Sequence, residues 1–439
     1  MKDHRKKNKI GFFSFVAIIY IVFHTIDFDF VNHLKGNLGF YKFSNISKLI
    51  SYLFIFALPF VFFKLSKIIY SKKLIFFFVL WIFFSTSLSF VISNALGYLP
   101  QFSNTVRTIE QIGGFIIGLV CGFYIFELNF DKSKIIVQAI KTSIFFTFIG
   151  IVFQIFILDK DQILISILYP NFDNLNRLYG LSGEPKNLGV NLVPFIIASM
   201  ATIRRVNYQQ ILIIIFCILV MTYTASATAF ISFFFMLLVF FLINNFLKFK
   251  NLILLIFLTL IFIIIINTPN LKYMLLDRIV MHSNAEYTEG IQSVFNFPLI
   301  GQLTVEGNEL PVLLFFQDNP FFIISGVGLG QESIFSYNYI YQLGGSGFLP
   351  EDYGGYITPG SALLQNIANF GLVMVLFLAI WAIQLNCKLN DYLEGDKKFI
   401  FYFFLSHFLL QLLILKTFIP ISTSIVVLLS FICNRNKLT

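Results

Sequence analysis

The chain has 439 residues, 57% of them hydrophobic, 12% charged, and 59 of them Phe. Long, continuous apolar runs on this scale exclude a soluble domain and mark a polytopic membrane protein. A formal charge of +9 fits basic cytoplasmic loops, and no nucleic-acid partner is expected.

The runs lack the period-two alternation of a membrane barrel, so helices are the expected spanning element. The start, "MKDHRKKNKIGFFSFVAIIYIVF", has the basic and apolar regions of a signal peptide. No small-residue cleavage site precedes "HTIDFDF", so an uncleaved first helix is expected. A span takes about 20 apolar residues. The candidates are 10–26, 49–63, 74–97, 108–128, 135–158, 188–203, 208–222, 226–247, 251–267, 361–386, 399–415 and 418–433, about twelve in all. The run 208–247 carries no charge and is too long for one ordinary span. It reads as two helices joined by a tight turn at "TYTASAT", 222–228. The four cysteines (Cys121, Cys217, Cys387, Cys433) form no ligand-spaced pair, which points to neither a disulfide framework nor a zinc site.

Orientation follows from Lys and Arg. Alternate connecting segments, from the N-terminus through 64–73, 129–134, 204–207, 248–250 and 387–398 to the C-terminus, hold 20 of the 31 basic residues. That set is assigned to the cytoplasm, with both termini inside. The expected fold is an all-α polytopic membrane protein with about twelve transmembrane helices, forming a single membrane domain over 1–439. Two outer loops, 159–187 and the large 268–360, are too long to be mere connectors. The second is aromatic and apolar, with stretches such as "LPVLLFFQ" and "PFFIIS", so it is expected to fold against the membrane face.

Of seven arginines, Arg5, Arg204, Arg205 and Arg435 are explained by topology. Arg107, Arg177 and Arg278 fall on the outer side near helix ends. The planar guanidinium donates two parallel hydrogen bonds and keeps its charge in a poorly hydrated place, so these three suit a lipid-linked pyrophosphate. The plainer reading pairs each with a carboxylate or lipid headgroups; Glu110, three residues after Arg107, is one such partner.

Arg177 opens "RLYGLSGEPKNLG", 177–189, a polar interruption between apolar runs. Gly180 and Gly183 allow tight backbone and close ligand approach. Pro185 suits the first turn of a helix, whose N–H groups at 186–189 would then face the loop as an anion site. Lys186 and Asn187 add donors. Glu184 either caps the helix or serves as a general base.

Other stretches say less. "GVGLG", 326–330, lacks the third-glycine spacing, the preceding strand and the following helix of a nucleotide loop, and reads as a turn of close approach. His282, four residues after Arg278, is a proton carrier or a solvated loop histidine. His407 lies inside a helix, where an ionisable group draws attention. Lys141 near a helix end can snorkel. Neither a metal-ligand cluster nor a nucleophile–base arrangement is visible, and no cofactor is expected.

These motifs resemble those of the O-antigen polymerase and ligase family. There an Arg-x-x-Gly is followed by a Glu/Asn-Pro element opening a helix, matched here by Arg177, Gly180, Glu184, Pro185, Asn187 and Gly189. "TYTASATAF" (222–230) is similar to the following Thr/Ser turn. "FPLIGQ" (297–302) and "SGVGLGQ" (325–331) are similar to the family's Pro-Leu-x-Gly-x-Gly region. "SALLQNIANFGLVMVLFLAIW" (361–381), with Asn369 and Gly371, resembles the helix after the large loop. Arg278 sits where the family has an arginine early in that loop.

The resemblance implies an integral-membrane, GT-C-like glycosyltransferase of the bacterial inner membrane that needs no metal. It would transfer a glycan from undecaprenyl pyrophosphate, with inversion, to a lipid-linked repeat unit. Arg177 and Arg278 would stabilise the departing pyrophosphate, with Glu184 as candidate base and His282 or Glu286 as alternatives. Arg107, Gly180, Lys186, Asn187 and His282 would bind pyrophosphate and glycan. Membrane lipids, a chain-length regulator and the flippase of the same pathway are the implied partners. Ligases of the family carry a histidine before the helix that follows the large loop; "GGYITPGSALLQN" has none, which favours a polymerase. The competing readings are a ligase acting on lipid A core and a flippase or transporter. Transporters tend to have paired half-repeats and broken helices, and neither is expected from these runs.

Overall fold

The computed structural model describes residues 11–26, 46–71, 73–95, 102–158, 178, 180, 182, 185–202, 208–224, 226–243, 292–297, 301–306, 309–332, 335, 339, 361–414 and 419–433. Within them the apolar runs form helices. These are α1 (Phe12–Ile26), α2 (Ile46–Ser71), α3 (Lys73–Ala95), α4 (Phe102–Asp131), α5 (Ser133–Leu158), α6 (Pro185–Thr202), α7 (Tyr208–Tyr223) and α8 (Ala227–Ile243). After the large loop come α11 (Ala362–Phe370), α12 (Leu372–Leu389), α13 (Gly395–Leu413) and α14 (Ile421–Cys433). The candidate span 251–267 lies outside the described residues.

Among the described residues, three stretches are long and apolar enough to cross a bilayer: Thr108–Leu128, Ser133–Phe156 and Leu372–Leu389. Shorter apolar helices accompany them, including Phe76–Ile92, Thr228–Phe241 and Ile421–Cys433. The chain is therefore a helical protein of membrane character. Within 208–243 the described residues form two helices, as the length of the run requires: α7 ends at Tyr223 and α8 starts at Ala227.

Burial sorts the helices into a centre and a rim. α13 is buried from Phe399 to Leu410, α14 from Ile421 to Phe431, and α6 from Leu188 to Met200. A helix apolar all round belongs in such a centre. The rim helices turn large side chains outward, among them Phe56, Phe60 and Phe63 on α2, Phe77 and Phe84 on α3, and Phe145 and Phe156 on α5. Lipid is as apolar as these rings, so they carry no solvation penalty there.

Close packing without a hydrophobic drive needs small residues. α4 supplies them against α14. A Cβ on Gly122 would stand 2.8 Å from Val426 Cβ and 3.0 Å from the Thr423 carbonyl oxygen. Gly118, one turn earlier, faces Ser422, Pro420 and Thr423, and its carbonyl accepts a 2.9 Å hydrogen bond from Thr423 Oγ1.

Two expectations change. The run 361–386 is not one helix: α11 ends at Phe370, Gly371 adopts φ +82°, and α12 starts at Leu372. Its apolar periodicity continues across the break, so only the glycine announces it. The chain therefore does hold a broken helix. The all-α expectation also yields at one place. β1 (Gln292–Phe297) pairs antiparallel with β2 (Gly301–Glu306), with Phe297 opposite Gly301; 298–300 lie outside the described residues. A proline and a glycine around a short connection between β-prone residues are the hairpin's sequence signal.

Two short helices of the large loop follow, α9 (Leu310–Asp318) and α10 (Phe321–Ser325). Phe315, Phe316, Phe322, Phe335 and Tyr339 form a second apolar cluster with Val312, Val327 and Ala368 of α11. This cluster seats the loop on α11, while α10 also packs on α12.

Candidate functional site

Leu178, Gly180 and the start of α6 are held by three neighbouring elements. Gly180 has φ +60°, the left-handed region a glycine adopts without strain. Its N–H donates to Oε1 of buried Gln154, on α5, at 2.8 Å. The Leu178 N–H donates to the Tyr223 carbonyl, at the end of α7, at 3.1 Å. α6 begins at Pro185, the residue whose missing N–H is harmless in a first turn. One turn in, a Cβ on Gly189 would lie 2.7 Å from Ala229 Cβ and 2.9 Å from Thr224 Oγ1. The α6 start is thus pressed against the α7–α8 turn, where Ser226 Oγ accepts from the Ala229 N–H at 3.3 Å.

Lys186 and Asn187 are half-buried at this helix start. Their peptide N–H groups and that of Leu188 belong to the first turn, which finds no acceptors within its own helix. Such a terminus favours an anion. Arg177, Glu184, Arg278, His282 and Glu286 lie outside the described residues. Arg107 falls in the second turn of α4, its side chain outside the described set.

A second group of residues assembles around the break at Gly371. The loop Gly326–Gln331 runs into it. A Cβ on Gly326 would stand 2.5 Å from the Gly371 nitrogen, and the Val327 N–H donates to the Ala368 carbonyl at 2.6 Å. Trp81 Nε1–H, from α3, donates to the Phe370 carbonyl at 2.8 Å. Leu329 N–H donates to Thr86 Oγ1 at 3.1 Å, and Gly330 N–H to Asn369 Oδ1 at 3.3 Å. Gln331 Nε2 donates to Thr108 Oγ1 at 3.3 Å, which fixes the loop one residue from Arg107. The turn "GVGLG" is therefore a wedge of backbone between α3, α4 and α11.

Beside this wedge a cavity of about 440 Å³ opens between α4, α11, the end of α13 and the start of α14. Its walls include Glu110, Gln111, Gln365, Asn366, Asn369 and Gln411. Asn366 Nδ2 donates to the carbonyls of Gln411 at 2.7 Å and Leu412 at 3.1 Å, so it closes the last turn of α13 as it shapes the wall. A smaller cavity of about 110 Å³, lined by Lys141, Thr202, Gln210 and Asp396, lies at the opposite end of α13.

Sequence reasoning had named Asn369 and Glu110 here, and passed over Gln111, Gln365, Asn366, Gln411 and, in the first group, Gln154. The signal was available: a carboxamide inside an apolar run needs a partner or a purpose. Set beside known protein families, characterised proteins and solved structures, the chain matches none.

Proposed function

We propose that this protein polymerises undecaprenyl-pyrophosphate-linked oligosaccharide repeat units into O-antigen or capsular polysaccharide. On this reading it is a metal-independent inverting glycosyltransferase of the O-antigen polymerase and ligase kind, with about twelve spans in a bacterial inner membrane. The observation that carries it is the α6 start. Gly180 and Leu178 are bonded to α5 and α7, Pro185 opens the helix, and the first-turn N–H groups of Lys186, Asn187 and Leu188 have no acceptor within their own helix. That arrangement offers an anion fixed dipoles in a poorly hydrated place.

In the proposed reaction the acceptor hydroxyl oxygen attacks the anomeric carbon of the donor glycan. The bond from that carbon to the pyrophosphate oxygen breaks, and its electron pair leaves with the lipid pyrophosphate. The hydroxyl proton passes to Glu184. Arg177, Arg278 and Arg107, with the α6 N–H groups, offset the charge that grows on the leaving group.

A broken helix is also a transporter feature. Here the groups freed at Gly371 are answered by the protein itself: Trp81 takes the Phe370 carbonyl and Val327 the Ala368 carbonyl. A transporter's break leaves such groups for its cargo, so this wedge favours the fixed architecture of an enzyme. The test supplies purified protein with synthetic lipid-linked repeat units. A glycan ladder on the same lipid supports polymerase. Transfer to a non-polyprenyl acceptor means ligase, and movement across vesicles without new bonds means flippase.

A further inference from the structure

We infer that the cavity between α4, α11, α13 and α14 is a binding site for an uncharged, hydroxyl-rich sugar ring. It lies apart from the anion cradle at the α6 start. The inference rests on the proposed glycan-handling role, and its test is separable from it.

The walls carry the argument. Gln111, Gln365, Asn366, Asn369 and Gln411 place five carboxamides on one cavity in a chain that is 57% hydrophobic. A carboxamide donates and accepts at once. So does a sugar hydroxyl, which makes a ring of amides the matching surface for vicinal hydroxyls. Among the described residues, neither Lys nor Arg lines the cavity, and Glu110 adds a carboxylate. A sugar hydroxyl can donate to that carboxylate. Phe115 and Phe370 supply apolar wall for the C–H face of a ring. A volume of about 440 Å³ falls within the usual range of small-molecule sites, about 300–1,000 Å³.

Several of the amides are already rigid. Asn366 is bonded to the α13 terminus and Asn369 to Gly330, so the site is preorganised by the wedge described above.

The test uses the full chain in its host cell, with the photoreactive residue p-benzoylphenylalanine placed at position 365 (Gln365) and, as a lipid-facing control, at Ile383 on the exposed side of α12. After irradiation, adducts are identified by mass spectrometry. Sugar-bearing adducts at 365 and phospholipid adducts at 383 are expected. Phospholipid adducts at both positions, or no sugar adduct at 365, overturn the proposal. In parallel, Gln365→Met keeps volume and removes the amide. The KM for synthetic lipid-linked repeat units should rise about tenfold with kcat little changed; an unchanged KM overturns the proposal. Where Gln365→Met does not insert, Gln111→Met serves. A sugar adduct without polymer ladders leaves the cavity standing and sinks the polymerase. Ladders with no adduct do the reverse.

Discussion

Gly328 faces the backbone of Thr86 with no room between them for a methyl group. A Cβ there would meet the Thr86 Cα, with the Thr86 nitrogen at 2.7 Å and Oγ1 at 2.8 Å, and φ at Gly328 is +91°. Gly328→Ala therefore adds left-handed strain of about 1–2 kcal/mol to overpacking of about 1–3 kcal/mol. Gly395, with φ +52° and nothing within 4 Å of its Cβ position, isolates the first effect. The half-life of the monodisperse species in detergent at fixed temperature should fall much further for Gly328→Ala than for Gly395→Ala. Equal losses would remove the close approach to Thr86 from the explanation.

Gly122→Leu should separate α4 from α14, because the new side chain must displace Val426 and the Thr423 backbone. Gly113→Ala on the same helix meets nothing within 4 Å and should be neutral or stabilising by up to about 1 kcal/mol. Protein yield in membranes and thermal stability after extraction check the pair. If both glycines tolerate substitution equally, the α4–α14 contact is not as close as it stands here.

Most helices were legible because the membrane demands long apolar runs, and basic residues punctuate them. Pro185 at the first residue of α6 and the turn at 224–226 were legible for the same local reasons. The break at Gly371 was not. Hydropathy is continuous across it, and what fixes it is a loop some forty residues earlier in the chain, at Gly326 and Val327. The spacing of Gly118 and Gly122 is visible in the sequence and marks the α4–α14 contact, but composition alone does not say which helix the small face meets. The cavity escaped for a related reason. Gln111, Gln365, Asn366 and Gln411 lie on three helices, and no sequence spacing relates them. Arg177, the residue that most directs the functional reading, lies outside the described residues, so its role rests on the frame at Leu178, Gly180 and Pro185.

Arg177→Lys keeps the charge and loses the bidentate fork. If Arg177 holds the pyrophosphate in the transition state, polymer amount and length should fall sharply while the protein level in membranes holds. The fall should be in kcat, since an interaction strengthened in the transition state is the one removed. Normal polymer from Arg177→Ala ends the assignment of this residue.

Gln154 tests the frame rather than the chemistry. Its Oε1 accepts the Gly180 N–H at 2.8 Å in a fully buried setting. Gln154→Met preserves volume and leaves that N–H without its acceptor, at a cost of about 1–3 kcal/mol. The loop is also tied through Leu178 to Tyr223, so the expected response is local loosening rather than unfolding. Hydrogen exchange of the peptide covering 178–182 should speed up, while exchange across α13 and α14 stays slow. Looser positioning of the α6 start should raise KM for lipid-linked units and lower kcat together. Gln154→Glu restores an acceptor oxygen at the same reach and should recover both the protection and most of the activity. A merely space-filling Gln154 predicts the opposite order, with Met tolerated and Glu, a buried carboxylate, the damaging change.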